Sequence, residues 1–150
     1  MTAMSDIATL EMSDARAESV LRSCLETFPH VRLTVTGHCM EPALRDGESV
    51  VLTSCQRMAP RLGDVVLAAH SDGLRLHRVV WATATRLRTK GDRSPRWDPL
   101  VRRAEILATV MVAGETGQAH PARDRWRALV SLARGAFDRL RESVPGTRRA

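Results

Sequence analysis

The sequence predicts a mainly β domain with an amphipathic helix at each end. Short β-branched runs separated by Gly, Pro and Asp occupy residues 31–113, a texture typical of strands joined by short connections. Apolar side chains recur at helical spacing in residues 14–28 and again after residue 120, as expected for helices with one buried face. A chain of 150 residues is enough for one ordinary core and short for two. We therefore expect one β domain over residues 31–115.

Residues 1–30 are expected to form a helical extension. The stretch DARAESVLRSCLETF, residues 14–28, predicts a helix that stops at Pro29, because proline cannot continue a helix. The N-terminus has neither a basic start nor a long apolar run, so we expect no signal peptide and no membrane anchor. The apolar face of this predicted helix contains Ala17, Val20, Leu21, Cys24, Leu25 and Phe28.

Six short runs in the middle of the chain predict the strands of the β domain. Each is rich in β-branched and other apolar residues and is bounded by turn residues, which favours a mainly β core with short connections. In chain order they are VRLTV, SVVLT, DVVLAA, LRLHRVVW, RLRTK and EILATVMV.

Residues 116–150 are expected to form a basic amphipathic helix and a tail. Pro145 and Gly146 end the helical pattern, as proline and glycine commonly do. The apolar stripe predicts packing on the β core or on a partner, and the alternative is a basic helix lying on a membrane surface. The stripe contains Trp126, Leu129, Val130, Ala133, Phe137, Leu140 and Val144.

Composition and charge favour a soluble globular protein without a nucleic-acid function. Hydrophobic residues make up 43% of the chain and charged residues 27%, which are ordinary values for such a protein. The net charge is +6, but the arginines are scattered and no nucleic-acid recognition motif accompanies them. Three cysteines without a close pair argue against a secreted disulfide scaffold. We expect a cytoplasmic protein, with peripheral membrane contact through the C-terminal helix as the alternative.

The loop around Cys39 is the strongest candidate for chemistry. A thiol becomes a useful nucleophile when a base raises its thiolate fraction, and histidine is the most common base for this purpose. His38 is the weaker partner because neighbouring side chains in extended backbone point to opposite faces, whereas His77 can approach only through the fold. A carboxylate could orient the imidazole, and Asp92 and Asp98 are the downstream candidates.

Other interpretations of these residues remain open. Cys24 and Cys55 are expected to be small apolar fillers, and His30, His70 and His120 ordinary surface histidines. Lys90, the only lysine, could serve as a base instead, although it adjoins a turn. We expect no cofactor and no metal, but a Cys/His metal site is an alternative because zinc and copper prefer such ligands. Its candidate ligands are His38, Cys39, Cys55, His70 and His77.

Four sequence blocks resemble those of type I signal peptidases and the related LexA-like proteases. GHCMEPALRDGESVVL, residues 37–52, is similar to the block in which G-x-S-M-x-P opens onto an acidic-glycine turn and an apolar strand. PRLGDVVLAA, residues 60–69, resembles the second block. LHRVV and TKGD, residues 76–80 and 89–92, resemble the endoplasmic-reticulum-type branch, in which histidine replaces the lysine base. The four blocks occur in the family's order over a little more than half of the chain.

The resemblance implies an antiparallel, coiled β-sheet and a peptidase that binds an extended peptide or protein. Cys39 matches the nucleophilic serine, His77 the base, Asp98 the carboxylate that orients the base, and Asp92 a site-supporting aspartate. The resemblance further implies that Met40 and Pro42 shape the nucleophile loop.

Several positions depart from the family pattern. Gly37 replaces a serine whose side chain would hold the oxyanion, and losing such a donor costs about 3 kcal/mol in a serine enzyme. Arg93 replaces a frequent asparagine. Cysteine can replace serine in acyl transfer, so we expect a soluble endopeptidase that matures a peptide or protein. The alternative is a catalytically inactive peptide-binding module of the same fold.

Overall fold

The computed structural model describes residues 7–11 and 17–113 and shows a mainly β fold. Eight strands, one short helix and one 3₁₀ turn make up this part of the chain. In chain order they are β1 (Ile7–Glu11), α1 (Ala17–Thr27), β2 (His30–Thr34), β3 (Ser49–Ser54), β4 (Val65–His70), β5 (Gly73–Ala82), β6 (Arg86–Lys90), β7 (Val101–Arg102), a 3₁₀ helix (Arg103–Glu105) and β8 (Ile106–Ala113).

All eight strands belong to one sheet in the order β1-β2-β3-β8-β4-β5-β6-β7. Every neighbouring pair from β2 to β7 is antiparallel, whereas β1 is parallel to β2. The helix α1 supplies the crossover that a parallel pair requires. The mainly β prediction is confirmed, and each of the six predicted runs forms a strand. The six predicted strands do not include β1 and β7, and β1 lies within residues 1–30, for which the sequence predicts a helical extension.

Two apolar clusters hold the sheet and the helix together. The first packs Leu21 and Leu25 of α1 against side chains from β2, β3, β4 and β8. The second joins Val66, Val79 and Leu87 from β4, β5 and β6 with residues near β7 and β8. Register shifts interrupt the β3–β8, β4–β8 and β5–β6 pairs, and such bulges increase the local twist of a sheet.

Strand β5 places successive side chains on opposite faces of the sheet, as any strand does. Arg75 and His77 share one face, and His77 lies opposite Val66 of β4. Arg78 points to the other face, opposite Val65. This alternation separates two polar clusters, one on each side of β5.

The predicted C-terminal helix and the boundary at residue 115 lie outside the described residues. Within residues 17–113, no helix is long and apolar enough to cross a membrane.

Candidate active site

Cys39 lies in the loop between β2 and β3, and buried side chains anchor this loop on the sheet. Met40 and Leu44 are both buried in the first apolar cluster. The backbone N–H of Leu44 donates to the carbonyl of Met40 at 3.0 Å. Gly37 has φ +89°, which glycine adopts without strain, and its N–H donates to Asp46 Oδ1 at 2.8 Å. Cys39 itself is exposed. Because Met40 and Leu44 are buried on either side of the turn, the backbone that carries the thiol is held in position.

The imidazole of His77 connects Cys39 to Asp98. His77 Nε2 lies 3.2 Å from Cys39 Sγ, and its Nδ1 lies 2.5 Å from Asp98 Oδ2. His77 is 8% exposed and Asp98 7%. Because a carboxylate only accepts hydrogen bonds, the proton of the neutral ring belongs on Nδ1, which leaves Nε2 free to accept from the thiol. The structure thus brings together three residues that are 38 and 21 positions apart in the sequence.

Three donors hold the carboxylate of Asp98. Besides His77, the hydroxyl of Thr89 donates to Oδ2 at 2.6 Å and Arg75 Nη1 donates to Oδ1 at 2.8 Å. The backbone N–H of Asp98 also donates to the carbonyl of Thr89 at 2.9 Å. Burial alone would raise the pKa of Asp98, but the hydrogen bonds from His77, Thr89 and Arg75 outweigh it and lower this pKa to about 2. The carboxylate is therefore ionised at neutral pH, as an orienting group requires.

The thiol of Cys39 is protonated in the resting state. Partial burial raises its pKa, and an interaction with its own backbone N–H offsets only part of this effect. The negative charges of Asp98 and Asp92 raise the same pKa further. At neutral pH the thiol therefore carries its proton, and His77 Nε2 at 3.2 Å is in place to accept it.

Asp92 lies on the opposite face of β5 from Asp98 and binds Arg78. Arg78 Nε and Nη2 each lie 2.7 Å from one oxygen of the Asp92 carboxylate, and Nη1 donates to the carbonyl of Gly63 at 2.8 Å. Arg78 is fully buried. This ion pair fixes the segment after β6, whose Arg93 N–H donates to the carbonyl of Cys39 at 2.9 Å. Asp92 thus supports the loop that carries Cys39 through the backbone.

Gly91 is a site residue that sequence reasoning did not single out, although it belongs to the TKGD block. A Cβ atom at this position would lie 2.9 Å from the carbonyl oxygen of Cys39 and 3.2 Å from His77 Nε2. The shorter distance is below ordinary van der Waals contact and involves backbone, which cannot easily move. Only glycine allows the segment after β6 to approach Cys39 and His77 this closely.

Replacing Gly91 by alanine is expected to separate Cys39 from His77. We expect the rate of Cys39 alkylation by iodoacetamide at pH 7 to fall about tenfold, because a displacement near 1 Å strongly weakens a positioned pair. Peptide mapping by mass spectrometry measures labelling at each cysteine. The control is Gly47→Ala, which strains a backbone with φ +78° but meets no atom within 4 Å. Equal labelling of the two variants would contradict the packing role of Gly91.

The structure also places the remaining sequence candidates, Cys24, Cys55, His38 and Lys90. Cys24 and Cys55 pack against the two apolar clusters, consistent with fillers. His38 is exposed, and Glu41 Oε1 lies 2.7 Å from its Nδ1, an interaction that raises the pKa of His38. Lys90 is buried at the end of β6.

Of the three other predicted surface histidines, two lie within the described residues. His30 and His70 are half-buried, so neither is a fully exposed surface side chain. His120 lies outside the described residues. Among residues 17–113, no group of three or more His, Cys, Asp or Glu side chains is arranged to hold a metal ion.

An open cleft of about 520 Å³ lies beside the loop that carries Cys39. The cleft separates the Glu41–Pro42 turn from the segment after β6. The peptide bond between Glu41 and Pro42 in this turn is cis. The residues that line the cleft are Glu41, Pro42, Lys90, Asp92, Arg93, Ser94 and Pro95.

Comparisons of the chain with protein-family models, with curated proteins and with solved structures found no match.

Proposed function

We propose that the protein is a signal-peptidase-like endopeptidase that uses Cys39 in place of the serine nucleophile. The observation that carries this proposal is the chain of contacts from Cys39 Sγ through His77 to Asp98, at 3.2 Å and 2.5 Å. A nucleophile, a base within hydrogen-bond reach and a carboxylate on the far ring nitrogen are the parts that acyl transfer requires. The resemblance of four ordered sequence blocks to signal peptidases and LexA-like proteases supports the same assignment of roles.

In the proposed reaction, the sulfur of Cys39 attacks the scissile carbonyl carbon while its proton moves to His77 Nε2. The new C–S bond creates an oxyanion, and the backbone N–H of Cys39 helps to hold it. When the C–N bond breaks, His77 gives its proton to the leaving amine, and a thioester on Cys39 remains. Water then attacks the thioester with His77 as the base, which releases the acid product and restores the thiol.

Asp98 supports each proton transfer in this scheme. Its ionised carboxylate stabilises the imidazolium that forms when His77 accepts the thiol proton. Gly37 carries no side-chain donor, so the oxyanion depends more on backbone N–H groups than in a serine enzyme with a hydroxyl at that place.

The substrate in this proposal is an extended peptide or protein. Main-chain hydrogen bonds with an exposed strand would supply affinity, and pockets beside the nucleophile would supply selectivity. The cleft next to Glu41 and Arg93 is one such pocket, and it borders the loop that carries Cys39. A peptide-binding module without catalysis is the alternative function for the same surface.

Cleavage of a peptide library tests the proposal. We expect the purified protein to create new peptide termini, and Cys39→Ala to abolish them because the nucleophile is gone. Mass spectrometry identifies the termini, and circular dichroism checks that the variant keeps its fold. Cys39→Ser is expected to retain a fraction of the activity.

Two other outcomes would contradict the proposed peptidase. Cleavage that persists in Cys39→Ala contradicts the proposed nucleophile. Peptides that bind to both proteins without being cut would instead favour the binding module.

A further inference from the structure

Arg75 is a charged residue at the site that no sequence motif identified. It lies two positions before His77 in β5, so both side chains project from the same face of the sheet. Its Nη1 donates to Asp98 Oδ1 at 2.8 Å, and its Nη2 pairs with Asp72 at the turn between β4 and β5. One guanidinium thus joins the exposed end of this hairpin to the buried carboxylate.

The two oxygens of Asp98 have separate partners. Oδ2 accepts from His77 and Thr89, whereas Oδ1 accepts from Arg75. Asp98 belongs to the connection between β6 and β7, where no regular strand fixes the direction of its side chain. The orientation of the carboxylate therefore depends on these three donors, and Arg75 is the one that controls Oδ1.

We propose that Arg75 is a positioning residue that holds the Asp98 carboxylate toward His77 during proton transfer. The proposal rests on the proposed function, since it assigns a role within the same site. One charge-assisted hydrogen bond from the guanidinium holds Oδ1, while His77 and Thr89 hold Oδ2, so the carboxylate cannot turn without breaking one of these bonds. Its positive charge also keeps Asp98 ionised, so the shared proton stays on His77 Nδ1.

The positive charge has a second effect on the nucleophile. Arg75 stabilises the thiolate of Cys39 electrostatically. Losing Arg75 should therefore weaken the site in two ways: Oδ1 of Asp98 loses its donor, which leaves the carboxylate less firmly oriented, and the thiolate of Cys39 forms at higher pH. Both changes slow the reaction of Cys39, so the two effects add in a single measurement.

The test compares Arg75→Gln with Asp72→Asn, because the second variant removes the other ion pair of Arg75 but leaves its contact with Asp98. The first readout is the downfield proton resonance of the His77 Nδ1–H bond to Asp98 in NMR spectra. The second is the pH profile of Cys39 alkylation by iodoacetamide. We expect Arg75→Gln to lose or broaden the resonance, slow alkylation at pH 7 about fivefold and shift the profile to higher pH.

Asp72→Asn is expected to keep the resonance and an alkylation rate within about twofold of the wild type, because Asp72 is largely exposed and exposed ion pairs contribute little. Arg75→Lys keeps the charge and one donor, so it should fall between the wild type and Arg75→Gln; it serves as the test if Arg75→Gln does not fold. The proposal is overturned if neither Arg75 variant changes the resonance or the pH profile.

Neither readout needs a peptide substrate, so the two proposals can fail separately. If Cys39→Ala cleaves peptides as well as the wild type, the peptidase proposal fails whatever the Arg75 variants do. If cleavage depends on Cys39 but both Arg75 variants keep the resonance and profile of the wild type, only the positioning role is wrong.

Discussion

Replacing His77 by glutamine is expected to reduce the rate of peptide cleavage about a thousandfold. Glutamine keeps a polar side chain of similar reach but cannot accept the thiol proton and later release it. The neutral thiol of Cys39, whose pKa burial raises, would then have no base at 3.2 Å. Initial rates of cleavage of a peptide found in the library experiment measure the effect.

The matched control for this prediction is His38→Gln. His38 is adjacent to Cys39 in sequence, but its ring is exposed and bonds to Glu41. We expect cleavage within about twofold of the wild type, because its removal leaves the His77 contact intact. The double variant Cys39→Ala with His77→Gln should be no slower than Cys39→Ala alone, because members of one catalytic unit are not additive. A His38 variant as impaired as the His77 variant would contradict the assigned base.

Replacing Asp92 by alanine is expected to destabilise the protein by about 3–5 kcal/mol. The change leaves the guanidinium of Arg78 without the carboxylate that binds it in two places. Arg78 is fully buried, so water cannot replace the lost partner without opening the sheet. Urea denaturation followed by circular dichroism gives the change in the free energy of unfolding.

The control for the Asp92 prediction is Glu18→Ala in α1. Glu18 and Arg22 also form an ion pair, at 2.8 Å, but both side chains are about half exposed. Such a pair on a helix surface contributes only about 0.5 kcal/mol. Replacing Arg78 and Asp92 together by leucine should recover much of the lost stability, since both buried charges are removed at once. Equal losses for Asp92→Ala and Glu18→Ala would contradict a buried structural role for Asp92.

The sequence predicts those strands whose residues themselves form a β-branched, apolar run bounded by turn residues. The run RLRTK coincides with β6. The runs predicted for β4 and β5 differ from the observed strands by one residue at each end. By contrast, β7 has only two residues, too few for a pattern, and β1 lies at the end of the sheet, where it pairs only with β2. Both strands form by pairing with a neighbour, β1 with β2 and β7 with β6. The periodicity of a sequence does not indicate which strands the fold brings together.

The candidate site shows the same division. Spacing alone could not connect Cys39, His77 and Asp98, because three different parts of the chain contribute them; the resemblance to signal peptidases supplied that grouping. Thr89 and Gly91 carry no chemical signal of their own, and their importance comes from close contacts with Asp98 and Cys39. Arg75 could have been found, since strand alternation places it on the same face as His77.

Detection of a covalent intermediate tests the central claim most directly. The protein is incubated with the peptide library, quenched with acid during turnover and digested. Mass spectrometry then measures the mass of the fragment that contains Cys39. Our account predicts an acyl group on Cys39 that hydroxylamine removes, as expected for a thioester, and that is more abundant when hydrolysis is slow. Cleavage of peptides without any acyl group on Cys39, or an acyl group on Cys24 or Cys55 instead, would contradict it.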